Sequence, residues 1–273
     1  MFLNNTVSYC LELCVYDVAS FLINVYCNRI EPLRVPTTFG TIVTQTYNLG
    51  GAVSNNITEH NPIITIKCGA QGFNSYVIKN TKTLRGVIID TPGDTEKILE
   101  ACSDITVDGI LITHTHSEQL QGLHQIRNAT GAEVWISAAD ANVFNYFTPV
   151  NSQRPENPFE PGSKIELAGL TIETIETPGH TPGSSCYLIN KNLFSGETLI
   201  STNGPGYYTP VETLNQAIQS VVNKLFALQE EIVVYPSLGD PFSLKDSKQE
   251  YQIFKNRYPS ALHGNVLWRT NQK

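Results

Sequence analysis

The sequence predicts a mixed α/β sandwich. Strand-like runs precede helix-like runs, and this order occurs twice along the chain, as expected when sheets are covered by helices. The chain has 273 residues, enough for one large domain or two small ones, and is 41% hydrophobic with 16% charged residues, which suits a packed globule rather than a disordered chain.

Residues 1–36 read as an N-terminal extension of unknown role, and residues 37–273 as the sandwich domain. Within the extension, the run 9–27 is apolar-rich but interrupted by Glu12 and Asp17. Leu11, Val15, Ala19 and Leu22 could line one face of a docking helix. The run has no basic leader, so it makes a poor secretory signal and a cytoplasmic protein is expected. No uncharged apolar stretch reaches the roughly 18 residues a membrane-spanning helix needs.

Residues 37–47 and 63–67 are rich in β-formers, joined by a Gly/Asn-rich connection over 48–61. Residues 74–78 and 84–90 read as paired strands. Asp94 stands where it could cap a helix from Thr95 to about Cys102, with Ile98, Leu99 and Cys102 facing inward. Residues 107–112 form an apolar-rich strand. Leu120, Leu123 and Ile126 then sit three apart, as on a helix, with Gly131 as its stop. A short strand is expected over 133–136, a short helix over 138–144, and a long Pro/Asn/Ser-rich loop over 148–160, a candidate lid or substrate wall. The pair Ala168-Gly169 signals a hairpin between strands 164–167 and 170–175. Strand 186–189 follows. Thr209-Pro210-Val211-Glu212 carries a cap, a first-turn proline and a capping-box glutamate. Leu214, Ile218, Val221, Val222, Leu225 and Leu228 continue with helical period. Residues 232–235 read as a last buried strand and 243–258 as a terminal helix.

Composition narrows the function classes. The formal net charge is −7 and no block of Lys or Arg occurs, which sets nucleic acid aside and mildly disfavours phosphate-rich substrates. Six cysteines, none in a Cys-x-x-Cys arrangement, point to buried reduced thiols rather than a disulfide framework.

Three stretches carry chemistry. The first, Thr113-His114-Thr115-His116-Ser117-Glu118-Gln119, leaves a buried strand with two imidazoles at i and i+2 and a carboxylate two residues later. Imidazole and carboxylate are the usual nitrogen and oxygen ligands of zinc or iron. The second is Thr177-Pro178-Gly179-His180-Thr181-Pro182-Gly183-Ser184, in which Pro-Gly pairs fix the turn around a third histidine. The third is Phe194-Ser195-Gly196-Glu197-Thr198-Leu199. His60, His124 and His263 lie outside these stretches and read as surface or capping histidines. Tyr207 and Tyr208 could wall a pocket.

The three stretches together resemble the metallo-β-lactamase fold superfamily, and particularly its glyoxalase II-like hydrolases, over roughly residues 64–246. The resemblance implies a four-layer αββα sandwich with a metal site at the open edge between two sheets. It places His114, His116 and His180 in the first metal site and Glu197 at the position of a bridging aspartate. The implied second site is degraded. Glu118 replaces an aspartate, and Gln119 replaces a ligand histidine. In Tyr235-Pro236-Ser237-Leu238-Gly239-Asp240-Pro241, Leu238 falls where a histidine belongs, with Asp240 nearby. The expectation is one zinc or iron ion per chain, held by His114, His116, His180 and Glu197, with Glu118 as general base or leaving-group acid. The implied activity is hydrolysis of a small ester or thioester. Two alternatives stand beside it: a mononuclear iron oxygenase resembling the persulfide dioxygenases, and a catalytically silent member kept for binding or assembly.

Overall fold

The computed structural model describes residues 61–141, 144, 155–200 and 211–257, all within one compact unit, Leu49–Lys273. The expected extension 1–36, the strand at 37–47, the first part of the 148–160 loop, the cap at Thr209-Pro210, Tyr207, Tyr208, His60 and His263 lie outside the described residues.

In chain order the elements are β1 (Ile63–Cys68), β2 (Phe73–Asn80), β3 (Arg85–Ile89), α1 (Thr95–Ala101), β4 (Thr106–Leu111), α2 (Ser117–Leu120), α3 (Leu123–Thr130), β5 (Glu133–Ser137) and α4 (Ala138–Ala141). They continue with β6 (Asn157–Phe159), β7 (Lys164–Leu167), β8 (Leu170–Glu176), β9 (Ser185–Ile189), β10 (Asn192–Gly196), α5 (Val211–Ser220), β11 (Val233–Pro236), β12 (Phe242–Ser243) and α6 (Leu244–Arg257). A π-helical turn, Val221–Leu225, extends α5, with Phe226 N–H donating to Val221 O at 2.9 Å.

Two six-stranded sheets form, in the orders β1-β2-β3-β4-β5-β6 and β12-β11-β10-β9-β8-β7. Period-2 alternation then builds three cores. Between the sheets lie Tyr76, Ile78, Val87, Ile89 and Leu111 of one, against Ile172, Tyr187, Ile189, Phe194 and Tyr235 of the other. The outward residues Val77, Ile88 and Ile110 pack on Ile98, Leu120, Leu123 and Ile126. On the far side, Cys186, Leu193 and Val234 meet Leu214, Ala217, Val221, Leu244 and Phe254. Three cores between four layers give the αββα sandwich, as expected.

Several local expectations change. Asp94 precedes α1 but makes no side-chain cap; its backbone is left-handed (φ 43°), and its carboxylate accepts instead from Gly69 N–H (3.2 Å) and Lys97 Nζ (2.8 Å). The helix after the first histidine stretch is two pieces, broken at Gln121-Gly122, where Gly122 N–H donates to Thr91 O at 2.8 Å. Part of the expected long loop pairs as β6, parallel to β5. The strand β10 falls in a stretch with no predicted element. By contrast, Ala168 (φ 57°) and Gly169 (φ 71°) make the hairpin turn, and Gly131 (φ 69°) closes α3 with its N–H on Arg127 O. Among the described cysteines, Cys68, Cys102 and Cys186 are buried and free. No helix among the described residues is long and apolar enough to cross a membrane.

Candidate metal centre

Each site residue sits just past a strand end, where backbone leaves the hydrogen-bonded ladder and side chains can converge. The loop after β4 carries His114 and His116. The turn between β8 and β9 carries His180; it is closed by Thr177 N–H on Ser184 O (2.7 Å) and Gly179 N–H on Thr181 O (3.1 Å). Glu197 directly follows β10. Ser185 N–H donates to Thr113 O at 2.9 Å and Tyr187 Oη to Ile112 O at 2.6 Å, so the second sheet is stitched to the first histidine loop.

The structure brings the three predicted histidines together. Their ring centroids lie 5.0 Å (His114–His116), 4.6 Å (His114–His180) and 4.4 Å (His116–His180) apart, with rings close to perpendicular. One ring nitrogen from each falls within 4.8 Å of the others. Glu197 approaches two of them: Oε2 is 3.3 Å from His180 Nε2, and Oε1 is 4.0 Å from His114 Nε2. It stands beside the three-histidine group rather than among the mutually close atoms.

A relay fixes the tautomer of His114. The Asp90 carboxylate accepts from Thr113 N–H (2.8 Å, Oδ1) and from Thr113 Oγ1 (2.7 Å, Oδ2). With Asp90 ionised and accepting the hydroxyl proton, Thr113 Oγ1 accepts from His114 Nδ1, 3.0 Å away. That places the His114 proton on Nδ1 and leaves a lone pair on Nε2. Nε2 is buried with no hydrogen-bond partner among the described residues. Burial, then His180 and His116, push the His114 pKa well below its ordinary value, so the ring is neutral, as a metal ligand must be. A buried, unprotonated nitrogen facing two further imidazoles and a carboxylate fits a small divalent cation better than any neutral polar group. Gly196 serves the same relay: at φ 53°, a Cβ there would fall 2.7 Å from Thr113 Oγ1.

Asp90→Asn tests the relay. The amide NH2 would donate to Thr113 Oγ1, turn that hydroxyl's proton toward His114 Nδ1, and move the imidazole proton to Nε2. Cation affinity is expected to fall by about 10–100-fold, the effect of losing an outer partner of a ligand histidine. Isothermal titration with Zn2+ checks it.

The carboxylates differ in environment. Burial pushes Glu197 up to about 7, assisted by Glu118 and Asp90 and opposed by Gln119. Asp90 is likewise pushed up to about 7 by burial, against its two bonds from Thr113. Half-buried Glu118 is the opposite case. Burial raises it, but its own backbone N–H, the Ser117 hydroxyl (2.9 Å), His116 and His180 together hold it below its ordinary value. An ionised carboxylate is a base, so the leaving-group-acid role expected for Glu118 is the weaker of its two roles.

The other residues around the expected second site, and His124, are placed as follows. The Gln119 side chain is fully buried, its amide has no partner at hydrogen-bond distance among the described residues, and it lies near enough to Glu197 to lower that carboxyl's pKa. Leu238 bridges to Phe73. Asp240 is held at the surface by Lys67, 3.2 Å away. His124 is exposed and pairs with Asn128.

Two residues escaped sequence reasoning, Asp90 of the relay and Asp140. Asp140, fully buried in α4, accepts from Thr115 N–H (3.0 Å) and Thr115 Oγ1 (3.1 Å) on one side, and from Thr181 Oγ1 (2.9 Å) and Gly183 N–H (2.7 Å) on the other. The available signal was a single charge inside Ala138-Ala139-Asp140-Ala141, since charges in apolar runs are buried only when partnered.

Comparison with known proteins places the chain in a family. The family profile described as metallo-beta-lactamase superfamily matches residues 69–237, more than half of the chain. A hydroxyacylglutathione hydrolase of Hydrogenovibrio crunogenus is 31% identical over 161 residues, covering 58% of this chain and 54% of that protein, so the match spans about half of that relative's length. The probable polyketide biosynthesis zinc-dependent hydrolase BaeB of Bacillus velezensis is 25% identical over 189 residues, covering 66% of this chain and 78% of that one. Among solved structures, the BLEG-1 B3 metallo-beta-lactamase superposes with a TM-score of 0.62 at 21% identity (68% of this chain, 96% of that one). ETHE1 from Myxococcus xanthus superposes with 0.59 at 20% (75% and 94%). At these identities the structural likenesses speak for the fold alone. With the profile match, the αββα layers and the converging histidines in place, the chain belongs to the metallo-beta-lactamase superfamily.

Proposed function

We propose that the protein is a metal-dependent hydrolase of a small ester or thioester that works with one cation. His114, His116 and His180 would hold the cation, with Glu197 as a further oxygen ligand. The observation that carries this reading is the set of three close imidazoles, one of them with its Nε2 lone pair buried and unpartnered. The likeness to a hydroxyacylglutathione hydrolase and to a zinc-dependent hydrolase favours hydrolysis and points to thioesters as the first substrates to try.

A bound divalent cation would supply Lewis acidity and a water acidified to near neutrality. The chain supplies the rest. Asp90 and Thr113 keep His114 in the ligating tautomer. Glu118, held ionised within electrostatic reach of His116 and His180, takes up the proton released as the acyl bond is attacked. Glu197, pushed up by burial, becomes the ionised partner once positive charge stands beside it.

The second cation site of the family pattern lacks two ligands, because Leu238 offers no donor and Gln119 only a neutral amide. This favours one cation over two. It also favours a second reading, a silent member retained for binding. Zinc-loaded protein is expected to hydrolyse a hydroxyacylglutathione or p-nitrophenyl acetate well above the metal-free protein. Cation binding without hydrolysis of either substrate would turn the assignment to the silent reading. Oxygen consumption with a persulfide by iron-loaded protein would turn it to the oxygenase.

A further inference from the structure

We infer that Asp140 is the positioning residue that holds the two histidine-bearing turns together as one ligand set and thereby sets the cation affinity of the site. The inference rests on the reading above and adds to it a residue outside the three histidine and glutamate stretches.

The histidines arrive on two separate segments, one after β4 and one between β8 and β9. Ser185 N–H on Thr113 O joins the two segments at their strand ends, and a further hold lies next to the ligands themselves. Asp140 comes from a third element, α4, and is wholly buried. Its Oδ2 accepts from Thr115 N–H and Thr115 Oγ1, and Thr115 lies between His114 and His116. The same Oδ2 accepts from Thr181 Oγ1 at 2.9 Å, and Thr181 directly follows His180. Oδ1 accepts from Gly183 N–H at 2.7 Å, two residues further along the same turn. All four donors therefore belong to the two histidine turns, and one carboxylate serves both.

The close fit is built into the sequence on both sides. A Cβ at Gly183 would lie 2.5 Å from Asp140 N, so the turn can approach the carboxylate only because residue 183 has no side chain. Ser184 Oγ adds a second hold on Thr181, accepting from its N–H at 2.9 Å. A buried carboxylate is tolerated where it is fully bonded, and here each bond also fixes the backbone next to a ligand. Cation affinity depends on such preorganisation, because ligands free to drift must be ordered when the ion binds.

Asp140→Asn separates positioning from bulk. Asparagine keeps the shape, but has one acceptor oxygen and places an NH2 against a donor. With its oxygen on the three-donor side, the NH2 opposes Gly183 N–H and frees the His180 turn. The test uses the full chain stripped of metal and titrated with Zn2+ against a chromophoric chelator, then with Co2+ while the visible absorption band is recorded. Asp140→Asn is expected to weaken Zn2+ binding by about 10–100-fold and to change the Co2+ band, which reports ligand geometry. Thr181→Val removes a single donor and is expected to weaken binding by about fivefold, the effect of one hydrogen bond.

A folded Asp140→Asn protein with wild-type Zn2+ affinity and an unchanged Co2+ band overturns the inference, even if its melting temperature falls, since Asp140 would then be structural only. Should Asp140→Asn fail to fold, Thr181→Val decides: weaker binding supports the inference and unchanged binding overturns it. Wild-type protein that binds neither ion overturns the proposed function and the inference together, an outcome distinct from loss of the inference alone.

Discussion

His180→Ala protein is expected to come through purification with essentially no bound cation, while retaining a wild-type far-ultraviolet circular dichroism spectrum. The His180 ring lies 4.4 and 4.6 Å from the other two, and its Nε2 is 3.3 Å from Glu197, so the substitution removes a ligand and leaves the carboxylate facing a gap. Losing an outer partner of a ligand weakens binding by about 10–100-fold, so losing the ligand itself should exceed about 100-fold. The backbone of the turn is held by bonds that do not involve the ring, which is why the fold should survive. Metal analysis by plasma emission, with Zn2+ titration of the stripped protein, checks both parts. A variant that keeps the cation and its hydrolytic activity would remove His180 from the site.

The neighbouring residue carries the second large effect, and its origin is steric. Gly179 sits at φ +143° against α5, where a Cβ would collide with the Ala217 side chain and lie 2.5 Å from Ala217 N. Pro178 O accepts from Ser220 Oγ at 2.8 Å, so the turn is anchored to the same helix and cannot simply lift away. Overpacking costs about 1–3 kcal/mol and a disfavoured backbone conformation about as much again. Gly179→Ala is thus expected to destabilise the protein by roughly 3 kcal/mol. For a domain of this size that lowers the melting temperature by roughly 6–12 °C. Because the turn must move to make room, cation affinity should drop as well, although no ligand has been changed. Thermal unfolding and Zn2+ titration of the same sample test the pair of effects. Wild-type stability would mean that the turn does not rest on α5 as described.

The site was legible in the sequence where its chemistry is local. His114 and His116 on one loop, the Pro-Gly turns around His180, and Glu197 after Gly196 each announce themselves within a few residues; the three imidazoles converge and Glu197 stands beside them. The order of strand-like and helix-like runs marked a mixed α/β sandwich, and the four layers followed from the resemblance that the three motif stretches carry. What the sequence concealed depends on contacts between distant segments. Asp140 reads as one acid in a short helix until Thr115, Thr181 and Gly183 are seen around it. Asp94 matched a helix-cap pattern, but Gly69 and Lys97 compete for its carboxylate. The strand β6 lies in a Pro/Asn-rich stretch with weak local preference, and exists because β5 offers it a parallel edge. The strand β10 is five residues long and ends in glycine, too short for periodicity to mark.

The departures from the family pattern have a common physical sense. Leu238 and the Gln119 amide offer no strong cation donor, whereas the relay from Asp90 and the brace at Asp140 hold the three histidines. A site built this way should discriminate by number of ions rather than lose binding altogether. Cation stoichiometry of the wild-type protein, measured by equilibrium dialysis against Zn2+ with the stripped chain, tests this most directly. The account predicts saturation at about one ion per chain, with binding abolished in His180→Ala. Saturation at two, or no binding at any zinc concentration that leaves the protein soluble, would contradict it.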